Sequence, residues 1–240
     1  MASNPVRLEY ATTQAFSVSG MSYAYTYVKA HVENLAYAKD VEIHYRTHDG
    51  SWHDIPLHWK ANFGDFDVFG SEEIPYTEEF AVRYTVDGSS YWDNNGWANY
   101  KVGTFRNTVG GNVMLNRAVA HIGSEPGGGF VFTTSWMEGE IYLNNLSYNK
   151  RVGIRFTADG GMHWEDCDAA YAGQVSEGTY ATSTGAERWK FKTPTYNYNN
   201  ASPQFRFAIY YNDLDSGNWY WDNDFGNDYH LDKHDGSTIE

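Results

Sequence analysis

From Val6 onward the chain alternates short runs that are apolar at every second position with short polar turns. Val41-Glu-Ile-His-Tyr-Arg places Val41, Ile43 and Tyr45 on one side and charged or polar residues on the other, and Phe80-Ala-Val-Arg-Tyr-Thr-Val repeats the scheme. A period of two marks a strand with one face buried. Val6 to Tyr10 and Tyr23 to Val32 read the same way, and no segment carries a convincing helical period. Turn chemistry separates the runs at His48-Asp49-Gly50 and Val86-Asp87-Gly88-Ser89, where Asp-Gly supplies the positive φ of a tight hairpin. Short strands at this spacing predict an all-β fold of antiparallel sandwiches.

The pattern occurs twice. Asn34-Leu-Ala-Tyr-Ala-Lys-Asp-Val-Glu-Ile and Asn145-Leu-Ser-Tyr-Asn-Lys-Arg-Val-Gly-Ile agree at six of ten positions. Trp52 then matches Trp164 after a one-residue insertion in the Asp159-Gly160-Gly161 turn, Trp59 falls opposite Tyr171, and Phe80-Ala-Val matches Phe207-Ala-Ile. Each copy ends alike: Tyr91-Trp92-Asp93-Asn94-Asn95-Gly96-Trp97-Ala98-Asn99-Tyr100 and Tyr220-Trp221-Asp222-Asn223-Asp224-Phe225-Gly226-Asn227-Asp228-Tyr229. The duplication divides the 240 residues into expected domains at 1–104 and 112–240, each of about 100 to 130 residues and able to bury a core. A short glycine-bearing tether, Gly103 to Asn112, joins them. Extra loops are expected in the second copy at Glu125-Pro-Gly-Gly-Gly and between Gln174 and Glu187, and the polar tail after Leu231 is expected to be loose.

Charge and composition narrow the function. With 17 Lys+Arg against 31 Asp+Glu, the formal charge of -14 repels polyanions, which argues against nucleic acid and anionic membranes as partners. No run approaches the ~18 apolar residues of a membrane helix, so the chain is expected to be soluble. The single Cys167 excludes an intrachain disulfide and leaves the compartment, secreted or cytoplasmic, open. Twenty Tyr and nine Trp exceed what two such cores require, so several should be exposed for a reason. Aromatic faces beside side-chain amides suit sugars, whose C–H faces stack and whose hydroxyls take hydrogen bonds.

At the Asn34 to Lys39 run, Trp52 and the closing Tyr-Trp-Asp-Asn stretch, the sequence resembles the starch- and glycogen-binding modules of carbohydrate-binding module family 21 and its relatives, in both halves. The resemblance implies an immunoglobulin-like β-sandwich that binds α-glucan at two surface sites. It assigns Trp52 and Trp92, with Asn94 and Asn99, to a first site, and Tyr37 and Phe63, near Lys39, to a second. In the second copy it implies Trp164, Trp221 and Asn223 for the first site and Tyr148 and Lys150 for the second. A further aromatic that many members place in the first site is replaced here by Ala81 and Ala208, and the last asparagine becomes Asp228.

Each of these residues also has an ordinary structural use. Trp52 and Trp164 would serve as core plugs, but both follow polar turns, which favours exposed platforms. Neighbours in a strand face opposite ways, so Tyr91 and Tyr220 are assigned inward and Trp92 and Trp221 outward. Asn94 and Asn223 suit a turn as well as a ligand. The Asp222-x-Asp224-x-Gly226-x-Asp228 spacing resembles the start of a calcium loop without its distal Glu, and the histidine cluster His44, His48, His53 and His58 matches no zinc pattern, so no metal or other cofactor is expected. No repeated nucleophile or carboxylate pair stands out.

The expected function is non-catalytic binding of a polymeric glucan, most naturally an α-glucan, by two tandem modules attached to or accompanying a glycan-active enzyme. The alternatives are a β-1,3-glucan ligand and a glycogen-targeting scaffold for a phosphatase.

Overall fold

A computed structural model describes residues 4–72, 74–77, 79–102, 107–175, 185–198 and 202–240. The chain divides into two compact units, Met1–Asn112 with Gln174–Ala186, and Val113–Gly173 with Glu187–Glu240. The expected loop between Gln174 and Glu187 lies largely outside the described residues.

The first unit contains β1 (Val6–Val18), β2 (Met21–Glu33), β3 (Lys39–Arg46), β4 (Trp52–Pro56), β5 (His58–Asn62), β6 (Phe66–Gly70), β7 (Ile74–Pro75), β8 (Glu79–Val86), β9 (Ser89–Asp93) and β10 (Asn107–Val109). They form two antiparallel sheets, β10-β1-β2-β6-β5 with β7 on β2, and β4-β3-β8-β9. From Val113 onward the strands are β11 (Val113–Gly127), β12 (Phe130–Asn144), β13 (Lys150–Thr157), β14 (Glu165–Asp168), β15 (Ala170–Gln174), β16 (Ala186–Lys192), β17 (Tyr196–Asn197), β18 (Gln204–Asp213), β19 (Asn218–Asp222), β20 (Tyr229–Asp232) and β21 (Thr238–Ile239). Their order, β21-β11-β12-β16-β15 with β17 on β12, and β14-β13-β18-β19, repeats that of the first unit, with β20 added on β18 where the first unit has only a single bridge between Phe80 and Tyr100.

The alternation read from the sequence accounts for the cores. Val41, Ile43 and Tyr45 of β3 and Phe80, Val82 and Tyr84 of β8 meet Leu8, Val28, Ala30 and Val32 of the facing sheet. Val152, Ile154, Phe156, Phe207, Ile209 and Tyr211 are buried in the second unit, as are Leu115, Met137, Ile141 and Leu143. Tyr91 packs against the first core while Trp92 faces out.

One hydrogen-bond device ties the two sheets of each unit. The first strand bulges at Leu8/Tyr10 and at Leu115/Arg117, one extra residue in each case. The backbone N–H of Leu8 donates to Asp93 Oδ2 at 2.6 Å, and that of Leu115 donates to Asp222 Oδ2 at 2.7 Å. The hydroxyls of Tyr100 and Tyr229 donate to the same carboxylates at 2.8–2.9 Å. Burial raises the Asp93 carboxyl above its ordinary range in spite of these donors. The first and last acidic members of the calcium-like spacing are therefore occupied by the fold, Asp222 by this clamp and Asp228 by Arg206 at 3.0 Å. No cluster able to hold a metal occurs among the described residues.

Three expectations are corrected. Glu125-Pro-Gly-Gly-Gly is not an added loop but the tip of the β11–β12 hairpin, with Gly128 and Gly129 at φ 59 and 84 where the first unit has Ser19 and Gly20 at 52 and 80. Part of the tether is a strand: β10 pairs with β1, and Gly110 lies so close that a Cβ would meet the Leu8 carbonyl oxygen at 1.8 Å. The tail is not loose, because β21 pairs with β11 and Lys233 is buried, its ammonium bonding the carbonyls of Ala158 and Ser202.

The bulge of the first unit also carries a buried charge cluster. Glu9 Oε1 lies 2.7 Å from Arg7 Nε and 3.0 Å from His31 Nδ1. Burial opposes ionisation of Glu9, but the Arg7 guanidinium and His31 outweigh it and hold the carboxyl well below the usual range. A carboxyl lowered in the folded state contributes stability that is present above its unfolded pKa and lost as pH falls through the folded value. The urea midpoint of the first unit should therefore fall on acidification from about pH 6 to about pH 3, and Glu9→Gln should flatten that fall. For the clamp, Asp93→Ala or Asp222→Ala should destabilise its own unit by about 2–5 kcal/mol in urea unfolding, since a buried N–H and a buried hydroxyl lose their acceptor.

Candidate functional site

The outer face of the β4-β3-β8-β9 sheet gathers the aromatics of the first copy. Trp52 at the start of β4 and Trp92 near the end of β9 are each 40% exposed. They flank His44 of β3, whose ring stacks on Trp52 at 4.6 Å and meets Trp92 edge-on at 5.8 Å. His44 Nδ1 bonds Asp54 at 2.6 Å, and Arg83 lies over Trp92 while pairing with Glu42 and Asp54. His44 stands directly across the ladder from Ala81. The face where the resemblance implies a third aromatic therefore holds an imidazole.

In the second unit Trp164, Trp221 and Asn223 line one shallow cavity of about 350 Å³ with Arg155, Ala208 and Asp228. Arg155 takes the place of His44, across the ladder from Ala208. The Asn223 side chain makes no capping bond in its turn, and the backbone carbonyl of Asn223 receives the N–H groups of Gly226 and Asp228. Asn94 differs: its Oδ1 accepts from the N–H of Trp97 at 3.1 Å, so the turn engages that oxygen. Asn99 is likewise engaged, donating from Nδ2 to Glu79 at 2.8 Å, and Asp228 makes the charge-reversed contact with Arg206.

The turns that carry these residues share an unusual backbone. Asn95, Gly96, Trp97 and Asn99 have φ of 52, 62, 76 and 52, and Asp224, Phe225, Gly226 and Asp228 have 47, 54, 103 and 65. Left-handed backbone disfavours bulky side chains, yet the glycine sits at a different step in each copy, leaving Trp97 and Phe225 in that region. Trp97 is almost wholly exposed.

A second site forms beside β3 in the first unit and β13 in the second. Asn34, Tyr37, Lys39, Trp59, Asn62 and Asp67 line a cleft of about 700 Å³, and Asn145, Tyr148, Lys150, Tyr171, Glu187 and Trp189 line one of about 620 Å³. Tyr37 and Tyr148 are exposed at its rim. The lysines are buried rather than presented to solvent: Lys39 bonds Asn34 at 2.6 Å and pairs with Asp67, and Lys150 bonds Asn145 at 2.7 Å and Glu187 at 2.9 Å. Each ammonium thus has two of its three N–H donors engaged inside the protein. They orient the acids, which in turn receive Trp59 Nε1 at 3.3 Å and Trp189 Nε1 at 3.0 Å. Burial acts to raise the Asp67 carboxyl, and the bonds from Lys39, Asn62 and Trp59 reverse it to a lowered value. Phe63 is set apart from the cleft, stacking on Phe66 at 5.3 Å; the aromatic opposite Tyr37 is Trp59. The match of Trp59 to Tyr171 was the sequence signal for this pair.

Part of the chain is similar to known proteins. Residues 130–232 match the family model of the carbohydrate/starch-binding module, family 21. Glucoamylase 1 of Rhizopus oryzae is 33% identical over 89 residues, covering 34% of this chain and 15% of the relative. Human protein phosphatase 1 regulatory subunit 3E is 34% identical over 93 residues, covering 39% and 30%. The chain thus spans less than a third of the length of these relatives. The solved starch-binding domain of Rhizopus oryzae glucoamylase in complex with beta-cyclodextrin and maltoheptaose is 26% identical, with a TM-score of 0.33, and is covered over 97% of its length by 43% of this chain. Over residues 130–232 the chain is thus similar to the carbohydrate/starch-binding module of family 21.

Proposed function

We propose that both units bind one polymeric α-glucan, of the starch or glycogen type, as a tandem pair. The observation that carries this reading is recurrence: two aromatic sites occupy corresponding strand positions in each unit, one on the outer face at Trp52/Trp92 and Trp164/Trp221, one in the clefts at Tyr37/Trp59 and Tyr148/Tyr171. Indole and phenol faces take the C–H face of a glucose ring by dispersion and apolar burial, at about 1–3 kcal/mol per platform by analogy with base stacking. The Asn223 amide and the oriented Asp67 and Glu187 carboxylates offer donors and acceptors to hydroxyls, and Asn34 and Asn62, each bonded within the protein at both oxygen and nitrogen, keep a second N–H and a second lone pair. Each site alone is weak, in the millimolar to micromolar range. Joined on one polymer, the two units raise each other's effective concentration and gain avidity of about 10²–10⁴.

A second reading, a subunit that brings a phosphatase to glycogen, draws support from the human relative. Co-precipitation of the chain with a phosphatase 1 catalytic subunit would support it, and absence of an interaction would remove it.

Trp92→Ala and Trp221→Ala should each weaken maltoheptaose binding at their own site by about 5- to 150-fold in isothermal titration. The double variant should lose both first-site signals while keeping its fold. Trp59→Ala and Tyr171→Ala should likewise weaken cleft binding. Phe63→Ala should instead lower the stability of the first unit and leave glucan affinity close to wild type.

A further inference from the structure

The outer sheet faces of the two units differ at three positions that act together. Opposite Trp92 the first unit has Arg83, opposite Arg83 it has Glu42, and two residues before Trp92 stands Ser90. At the corresponding places the second unit has Tyr210 opposite Trp221, Gly153 opposite Tyr210, and Trp219 two residues before Trp221. An ion pair and a serine in one unit are replaced by a glycine and two aromatics in the other.

The glycine explains the rest. A Cβ at position 153 would lie 2.4 Å from the Cys167 carbonyl oxygen, 2.6 Å from the Tyr210 hydroxyl oxygen and 2.8 Å from Cζ, so the glycine makes room both for the neighbouring backbone and for Tyr210 laid across it. Laid there, Tyr210 is buried, donates its hydroxyl to Asp168 Oδ1 at 2.8 Å, and carries the Arg151 guanidinium 5.5 Å above its ring. The same ring contacts Trp219 and Trp221 at 5.8 and 5.7 Å. The two indoles stand parallel within 13°, their centroids 5.9 Å apart, and remain 48% and 47% exposed. A buried tyrosine anchored at its far end thus holds two exposed indoles in one orientation. Such advance ordering lowers the entropy lost when a ligand settles on them. An edge strand needing only solubility would retain the polar residue found in the first unit.

We propose that Trp219 extends the first site of the second unit by one stacking platform beyond Trp221, so that this unit engages a longer run of sugar residues than the first and discriminates glucans by chain length. The proposal rests on the glucan-binding reading given above. It makes Trp219 a specificity determinant and Gly153 and Tyr210 the positioning residues beneath it.

The test uses the full chain carrying Trp52→Ala and Trp92→Ala, which silence the first site of the first unit. Isothermal titration with maltotriose and with maltoheptaose is compared before and after adding Trp219→Ala, with urea midpoints as a check of folding. The expected result is a loss of about tenfold or more in maltoheptaose affinity with less than about a twofold change for maltotriose. Trp219→Phe should recover most of the loss. Equal loss for both oligosaccharides would show that Trp219 only supports Trp221, and no change for either would show that it is idle; each result overturns the proposal. If the parent chain binds neither oligosaccharide, the glucan reading itself fails and this proposal falls with it. Binding by the parent with a flat response to Trp219→Ala leaves the glucan reading standing and refutes the extension alone.

Discussion

A buried carboxylate at the end of one sheet, accepting the N–H of a bulged residue on the other, holds each unit together. Asp93 and Asp222 are the last residues of the strands that carry Trp92 and Trp221, so the group that closes the sandwich also fixes the register of the platform strand. Alternation then decides the facing: with the aspartate turned inward to Leu8 or Leu115, its neighbour must face outward. The tyrosine eight residues beyond each tryptophan returns to the same carboxylate and closes the strained turn between them. The repeated Tyr-Trp-Asp-Asn motif is thus first a closure, and its outward-facing tryptophan follows from that.

The second site is built on a different interaction, a buried ion pair. Removing an ammonium and a carboxylate from water is unfavourable unless they are paired and hydrogen-bonded, and Lys39 is bonded to Asn34 and Asp67 as Lys150 is to Asn145 and Glu187. The lysines thereby fix the acids that position Trp59 and Trp189. In the first unit the indole bonded to the acid comes from β5, and in the second from β16 itself, so one scaffold presents its aromatics from two strands.

Much of this was legible in the sequence, for identifiable reasons. The strands read clearly because one face of each is buried, and the duplication read clearly because the Asn34 to Lys39 and Asn145 to Lys150 runs supply both the turn and the buried pair. What escaped depended on contacts far apart in the chain. Lysine is ordinarily an exposed residue, and nothing near Lys39 announces Asp67, 28 residues away. Phe63 and Trp59 are both aromatics near one strand end, and only the pairing of β5 with β6 separates the one stacked on Phe66 from the one in the cleft. Trp219 has no aromatic counterpart in the first copy, so a reading guided by the repeat passes over it. The polar tail ends in a strand because Lys233 finds two carbonyls in the fold, a gain invisible to local hydropathy.

The two units share a scaffold and differ in the surface laid over it: His44, Arg83 and the exposed Trp97 in one, Arg155, Tyr210 and the paired Trp219 and Trp221 in the other. Such a pair suits a polymer that offers many local geometries at once. The most direct measurement of that account is retention of the full chain on insoluble starch, with insoluble β-1,3-glucan in parallel. The expected result is retention on starch, release by soluble maltoheptaose and no comparable hold on the β-glucan; passage through starch unretained, or release only by a β-linked oligosaccharide, would rule out binding of α-glucan by this chain.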